Sequence, residues 1–362
     1  MKTILSIASA RPNFVKLAAV HHALAAHPND FAHVIVHTGQ HYDPLLSDIF
    51  FTQLAIPQPD HNLGIKGGSD REAVIQATED ALLPVLQKIC PDVVLVYGDV
   101  NGAVGGARAA KKLGIPLAHI EAGLRSFDLS MPEEHNRIAI DALADLLFCS
   151  EESGVEHLKS EVAKGQIHLV GNTMIDTLVR MMPLIQKEQM PMSFSEPFGV
   201  VTLHRPSNVD DEATLRSVLS FLGEVAASLP LILPAHHRLR ASLDQFGIVV
   251  PEGIRLINPL GYLSFLRMLK ESACVITDSG GIQEEAVYLQ KRCFTLRRNT
   301  ERPSTIVSGS NVLIDPDNLS DRKAVIVFAK NPHTPPVTVP LLWDGRAGER
   351  IAEVLRRFIP LS

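Results

Sequence analysis

Cys274-Val275-Ile276-Thr277-Asp278-Ser279-Gly280-Gly281-Ile282-Gln283-Glu284-Glu285 begins as an apolar strand, turns through small residues and enters a helix. The apolar run is short and unbroken, as a strand covered on both faces requires. A helix that starts at the glycines presents unpaired N–H groups and a partial positive charge. Ser279, Gly280 and Gly281 would then let a phosphate approach the backbone. Glu285 lies four residues beyond Gly281, on the same helical face, and offers a carboxylate to ribose hydroxyls. Diphosphate beside ribose describes a nucleotide. The segment lacks a P-loop lysine, which argues against a kinase or NTPase. Alone, the segment reads equally well as an ordinary strand-to-helix turn.

The same alternation runs through the chain. Apolar runs at Thr3–Ala8, His33–His37, Val93–Tyr97, Leu117–Ile120 and Leu146–Cys149 form a first series. Val200–Leu203, Leu231–Leu233, Ile254–Ile257, Cys274–Ile276 and Cys293–Leu296 form a second. Between them Leu215, Val218, Leu219 and Leu222 trace one helical face. Repeated strand–helix order predicts an α/β protein of two doubly wound, Rossmann-like halves with parallel sheets. The expected domains are 1–186, joined by a closing helix at 346–362, and 187–345. The expected linker is Lys187–Pro197, where Gln, Met, Pro and Ser cluster. Ligands of such sheets sit beyond the carboxyl ends of the strands.

Bulk properties agree. A chain of 362 residues exceeds one ordinary core. At 46% hydrophobic and 20% charged, it has the composition of a soluble globular protein. The net charge of −6, without a basic block, argues against a nucleic-acid partner. No run has membrane-spanning length and Met1–Ile7 lacks the apolar length of a signal peptide, so a cytoplasmic protein is expected. Cys90, Cys149, Cys274 and Cys293 are scattered without metal spacing and read as reduced.

The loops after the strands hold the candidate chemistry. Ser9-Ala10-Arg11-Pro12-Asn13-Phe14-Val15-Lys16 contains no glycine, so the dinucleotide fingerprint is missing and an NAD enzyme is not expected. Arg11 and Lys16 place two cations at a helix start, where electrostatics favour anions; an anionic ligand would resolve that conflict. Tyr97-Gly98-Asp99 and His119-Ile120-Glu121 each place an acid just past a buried strand. Met131-Pro132-Glu133-Glu134-His135-Asn136-Arg137 suits a helix start, with Glu133 and Arg137 one turn apart and able to pair. Clustered carboxylates drive one another's pKa values apart, which lets one site hold both an acid and a base. His204 ends a strand and can donate to a phosphate. Phe265, just past Leu260, offers an aromatic face to a base, and Arg302 in Thr300-Glu301-Arg302-Pro303 adds a cation. His21, His22 and His27 read as a polar helix surface, and no metal ligand set is evident.

Taken together, Arg11-Pro12, Gly98-Asp99, His119 to Arg125, Pro132-Glu133-Glu134 with Asn136-Arg137, Gly171-Asn172-Thr173 with Ile175-Asp176, His204-Arg205, Thr277 to Glu285 and Thr300 to Pro303 resemble the non-hydrolysing UDP-N-acetylglucosamine 2-epimerases. The resemblance spans nearly the whole chain. It implies a GT-B-like fold with an active-site cleft between two Rossmann-like domains, a homodimer, and no metal or other cofactor. It implies reversible C2 epimerisation of UDP-N-acetylglucosamine to UDP-N-acetylmannosamine, through elimination of UDP and a 2-acetamidoglucal. Asp99, Glu121 and Glu133 would supply the carboxylates, without a division into base and acid. His204 would assist the leaving UDP, with Arg11, Lys16 and Arg137 adding positive charge. Ser279, Gly280 and Gly281 would hold phosphate and Glu285 ribose. Phe265 and the backbone near Leu260 would hold uracil, and Arg302 would complete the sugar-phosphate contacts.

Departures leave alternatives open. Asn13-Phe14 stands where many members have Glu-Ala, and Val100-Asn101-Gly102 replaces a threonine run. A different UDP-2-acetamido sugar, such as a 2,3-diacetamido uronic acid derivative, is one alternative substrate. A GT-B glycosyltransferase shares the fold but needs no carboxylate trio. Tyr42-Asp43 after Thr38-Gly39-Gln40-His41, and the altered Lys66-Gly67-Gly68-Ser69, point to a weak or absent allosteric response to a second substrate molecule.

Overall fold

Lys2–Ala8 (β1) carries apolar side chains on both faces and pairs in parallel with Phe31–His37 (β2) on one side and Val93–Tyr97 (β4) on the other. The computed structural model describes residues 1–39, 51–68, 70–192, 194, 196–333 and 336–358. Gln40–Asp43 and Ser69, singled out above for the allosteric response, lie outside them. So do the last four residues of the expected closing helix.

Among the described residues, every strand pairing is parallel. The first sheet adds β3 (His61–Asn62), β5 (Leu117–Ile120), β6 (Leu146–Cys149) and β7 (Gln166–Leu169), in the order β3-β2-β1-β4-β5-β6-β7. The second contains β8 (Gly199–Thr202), β9 (Leu231–Pro234), β10 (Ile254–Ile257), β11 (Cys274–Thr277), β12 (Arg292–Thr295) and β13 (Asn311–Leu313), in the order β10-β9-β8-β11-β12-β13. In each sheet the strand order reverses once, between β1 and β4 and between β8 and β11. Crossover helices leave opposite faces of the sheet there, which opens a crevice at the carboxyl ends.

The ten apolar runs all correspond to strands. β3, β7 and β13 were not anticipated. They lie at sheet edges, where a strand is covered less completely and need not be apolar; β7 reads Gln-Ile-His-Leu and is exposed or half-buried throughout.

The chain divides into two compact units, Met1–Arg180 with Leu341–Ser362, and Met181–Pro340. The division falls inside helix Thr173–Lys187, which runs on through Pro183, and lies ahead of residue 186. In the first unit Leu5, Ile7, Val94, Val96 and Leu147 belong to one core. In the second, Val201, Leu203, Leu233, Ile276 and Phe294 do the same. Cys149, Cys274 and Cys293 are buried free thiols, whereas Cys90 is exposed. No helix among the described residues is long and apolar enough to cross a membrane.

Helix Ala347–Phe358 packs against helix Arg11–Ala25 within the first unit. The approach is close because residue 348 is glycine: a Cβ there would lie 2.5 Å from the Ala19 carbonyl oxygen. Asp176 accepts the Gly348 N–H at 2.7 Å, capping this helix from another element. Gly348→Val should therefore lower unfolding stability by about 1–3 kcal/mol, the usual cost of overpacking, read as a lower denaturation midpoint. An unchanged midpoint would rule out this close packing.

His21 and His22 are half-buried rather than exposed on a polar surface. His21 Nδ1 contacts His33 Nδ1 at 2.9 Å, and His33 Nε2 reaches Ser6 Oγ at 2.8 Å. Burial, reinforced by charge repulsion within the pair, holds His33 down at about 3; burial, then His22, holds His21 at about 4. Both are lowered from 6.5, so the unfolded chain takes up protons first. Their contribution is complete above 6.5 and is lost as pH falls towards 4 and then 3. Urea midpoints should decline over that window in the wild type and less steeply in His21→Gln.

Candidate active site

At the β1/β4 switch point, Asn13 locks the two strand ends together. Its side-chain oxygen accepts from Ser9 N at 3.2 Å and Ala10 N at 3.0 Å, and its amide donates to the Tyr97 carbonyl at 2.9 Å. This is one of the positions where the first loop departs from the family pattern, and here it organises the turn. Arg11 follows on the exposed start of the helix and forms no ion pair with any described residue. Lys16 is different. It is 5% exposed and pairs with Glu121. The conflict expected of a cation early in a helix is thus met by a protein carboxylate.

Glu121 follows β5 with φ 72°, a left-handed conformation that costs a non-glycine residue about 1–3 kcal/mol. The amides of Glu121 and Ala122 both donate to the Phe148 carbonyl at 3.0 Å, and the Lys16 pair holds the side chain. Asp99 follows β4 through Gly98, also left-handed with φ 63°. A Cβ at Gly98 would lie 3.1 Å from Lys16 Nζ, so the turn passes close beneath the Lys16–Glu121 pair.

Asp99 pairs with Arg137 from helix Pro132–Leu143. Arg137 also pairs with Glu134 at 2.8 Å. The anticipated Glu133–Arg137 pair does not form. Glu134 turns inward instead, accepting from Ser126 N and Oγ and Phe127 N at 2.9–3.1 Å, and so meets Arg137 one turn on. Glu133 stays half-buried, without a hydrogen-bond or ion-pair partner among the described residues. Asn136 donates to the Asp99 carbonyl at 2.7 Å and accepts from Arg71 Nε at 2.9 Å. The structure thus joins Lys16 with Glu121, and Asp99 with Arg137.

The second constellation is at the β8/β11 switch point. Asp278, fully buried, accepts from His204 N and Arg205 N and from Asn208 Nδ2, and pairs with His204 Nδ1 at 2.8 Å. Burial pushes its carboxyl up, but the hydrogen bond and charge of His204 with the two backbone amides more than offset this, and its pKa lies below the usual value. The Nδ1 edge of the 44% exposed His204 side chain is thus held by Asp278. Ser279 is the N-cap of helix Gly280–Tyr288 and forms no side-chain cap bond, leaving the helix start open to an anion. A Cβ at Gly280 would lie 2.5 Å from an Arg302 nitrogen, so this glycine makes room for a guanidinium as well.

Arg302 does not extend as a spare cation. It is 5% exposed and pairs with Glu284 at 3.1 Å and with Glu301. Two buried acids flank it because an isolated charge would be costly there. Glu285 is 3% exposed and accepts from Tyr262 Oη at 3.0 Å. Burial raises its carboxyl to about 8, with Glu284 adding to the rise and Tyr262 opposing it. Leu260 and Phe265 flank the start of helix Tyr262–Glu271, both half-buried. Among the described residues no group of three His, Cys, Asp or Glu side chains could hold a metal ion.

Sequence reasoning missed Glu134, Asp278 and Tyr262 as organisers. Asp278 had a signal: an acid directly after a buried strand has many unpaired amides within reach. Glu134 and Tyr262 had none, because their partners lie on segments fixed only by folding.

Residues 22–356 match the family model described as UDP-N-acetylglucosamine 2-epimerase. A UDP-2,3-diacetamido-2,3-dideoxy-D-glucuronate 2-epimerase of Pseudomonas aeruginosa is 38% identical over 98% of this chain and 99% of its own. The crystal structure of Methanocaldococcus jannaschii UDP-GlcNAc 2-epimerase in complex with UDP-GlcNAc and UDP is similar at TM-score 0.89 and 34% identity, covering 99% of this chain and 100% of that one. The structure of the glycotransferase of kitacinnamycin, at 13% identity, TM-score 0.57 and 99% coverage of both chains, shares the fold alone.

Asp278→Ala should leave the amides of His204 and Arg205 without their acceptor and lower stability by about 1–3 kcal/mol, measured by chemical denaturation. A loss below a few tenths of that would mean water replaces the carboxylate freely.

Proposed function

The chain belongs to the UDP-N-acetylglucosamine 2-epimerase family, and from that premise we propose that it interconverts UDP-N-acetylglucosamine and UDP-N-acetylmannosamine by inversion at C2. It is a nucleotide-sugar 2-epimerase with a GT-B-like α/β fold. The observation that carries the proposal is the gathering of Asp99 with Arg137 and Glu121 with Lys16 around the β1/β4 switch point.

C2 inversion requires removal of one proton and its return to the opposite face. Loss of the C2 proton as the anomeric C–O bond breaks releases UDP and leaves a 2-acetamidoglucal. A second carboxyl, protonated, returns a proton to C2 from the other face as UDP re-adds at the anomeric carbon, and the carboxyl that took the first proton exchanges it with solvent. Asp99 and Glu121 supply two of the carboxyls this exchange needs, one as base and one as acid in either order. Glu133 brings a third carboxyl to the same loops. Developing positive charge on the sugar is met by these acids, and Arg11 offers the diphosphate a cation that forms no ion pair among the described residues. His204, oriented by Asp278, presents Nε2 for donation to the departing phosphate. The open helix start at Ser279–Gly281 takes phosphate, Glu285 takes ribose hydroxyls, and Phe265 with the backbone near Leu260 takes the base. Arg302 acts through Gly280 and its acid partners, supporting the phosphate turn from behind.

A second reading is favoured by the 38% identical Pseudomonas relative, whose name specifies a diacetamido uronate. Proton NMR in D₂O with each nucleotide sugar separates the two. Deuterium entering C2 of UDP-N-acetylglucosamine, with the manno isomer appearing, supports the first. Exchange confined to UDP-2,3-diacetamido-2,3-dideoxy-glucuronate supports the second, and exchange in neither rejects both. Asp99→Asn and Glu121→Gln should each reduce turnover about a hundredfold or more while UDP still binds. Near-normal turnover in either would remove that residue from the chemistry.

A further inference from the structure

His119 lies on β5, one residue before the strand end that leads to Glu121, and is fully buried. Its Nδ1 is 2.6 Å from Asp141 Oδ1 and its Nε2 is 2.9 Å from the Gly98 carbonyl oxygen. A carboxylate and a carbonyl are both acceptors, so each ring nitrogen has to donate. The other oxygen of Asp141 accepts from Gly123 N at 3.1 Å and pairs with Arg125 at 2.7 Å. Arg125 pairs in turn with Glu161 at 2.7 Å. Charges on His119, Asp141, Arg125 and Glu161 then cancel. Among the described residues the buried Cys149 thiol, pushed up by burial and by Asp141, also faces this cluster, and His157 Nδ1 lies 2.9 Å from the Gly123 carbonyl oxygen.

We propose that His119 is a doubly protonated positioning residue that ties the Gly98–Asp99 turn to the strand end carrying Glu121. One ring nitrogen holds Gly98, whose carbonyl precedes Asp99 directly. The other holds Asp141, which fixes Gly123, two residues beyond Glu121. The two loops that carry Asp99 and Glu121 are thereby tied to one buried imidazole ring. His119 touches neither substrate nor reacting atoms in this scheme. The inference rests on the reading of Asp99 and Glu121 as the working carboxylates.

The test combines one measurement on the intact protein with two variants. In ¹⁵N-histidine-labelled wild type, both ring nitrogens of His119 should carry slowly exchanging protons. His119→Gln should lower turnover by about a hundredfold, the scale of a misplaced catalytic group, with KM and UDP binding little changed. Asp141→Asn should do the same, and the double variant should be no worse than either single one, because both break one clamp. An unprotonated ring nitrogen, unchanged turnover, or additive losses would overturn the proposal. If His119→Gln fails to fold, the wild-type spectrum still decides. If Asp99→Asn retains turnover, the carboxylate reading fails on its own account, while the spectrum continues to report on the clamp.

Discussion

A parallel sheet leaves a gap wherever the direction of its crossovers reverses, and the candidate chemistry of this protein depends on two such gaps. Between β1 and β4 the strand ends deliver Arg11, Lys16 and Asp99; between β8 and β11 they deliver His204, Asp278 and Ser279. Backbone groups at these ends have no next strand residue to pair with, and the following helices begin with open N–H groups. Polar side chains therefore gather there without disturbing the apolar layers beneath.

Charge is handled by pairing before any ligand arrives. Lys16, Arg137, Arg125 and Arg302 are buried to within 5% exposure, and each meets at least one carboxylate. Unpaired, any of them would carry a large desolvation cost. The result is a set of rigid ion pairs whose carboxylates are already oriented. Arg11, Glu133 and the His204 side chain are left accessible. This division separates groups that shape the site from groups open to a substrate.

Much of the architecture was legible in the chain. Continuous apolar runs such as Val93–Tyr97 and Cys274–Ile276 announce buried parallel strands, and turns such as Gly98-Asp99 mark where they end. Three of the four edge strands were not legible, because a strand such as Gln166–Leu169 needs little apolar character to pair along one side. At the candidate site, the positions of Asp99, Glu121 and His204 at strand ends were readable because each lies within two residues of the end of an apolar run. Their partners were not. The pairing of Arg137 with Glu134 rather than Glu133 depends on which turn of helix Pro132–Leu143 faces the loop Ser126–Phe127, and local spacing permits either.

Sequence by itself determined ten of the strands, the α/β class and the placement of acids, cations and glycines at strand ends, since periodicity and turn chemistry act over a few neighbouring residues. Tertiary structure alone decided the strand order, the left-handed backbone at Glu121 and the partner of every buried charge. Several of those outcomes follow from contacts across long stretches of chain, such as Lys16 with Glu121 and His204 with Asp278, where burial makes an unpaired group costly.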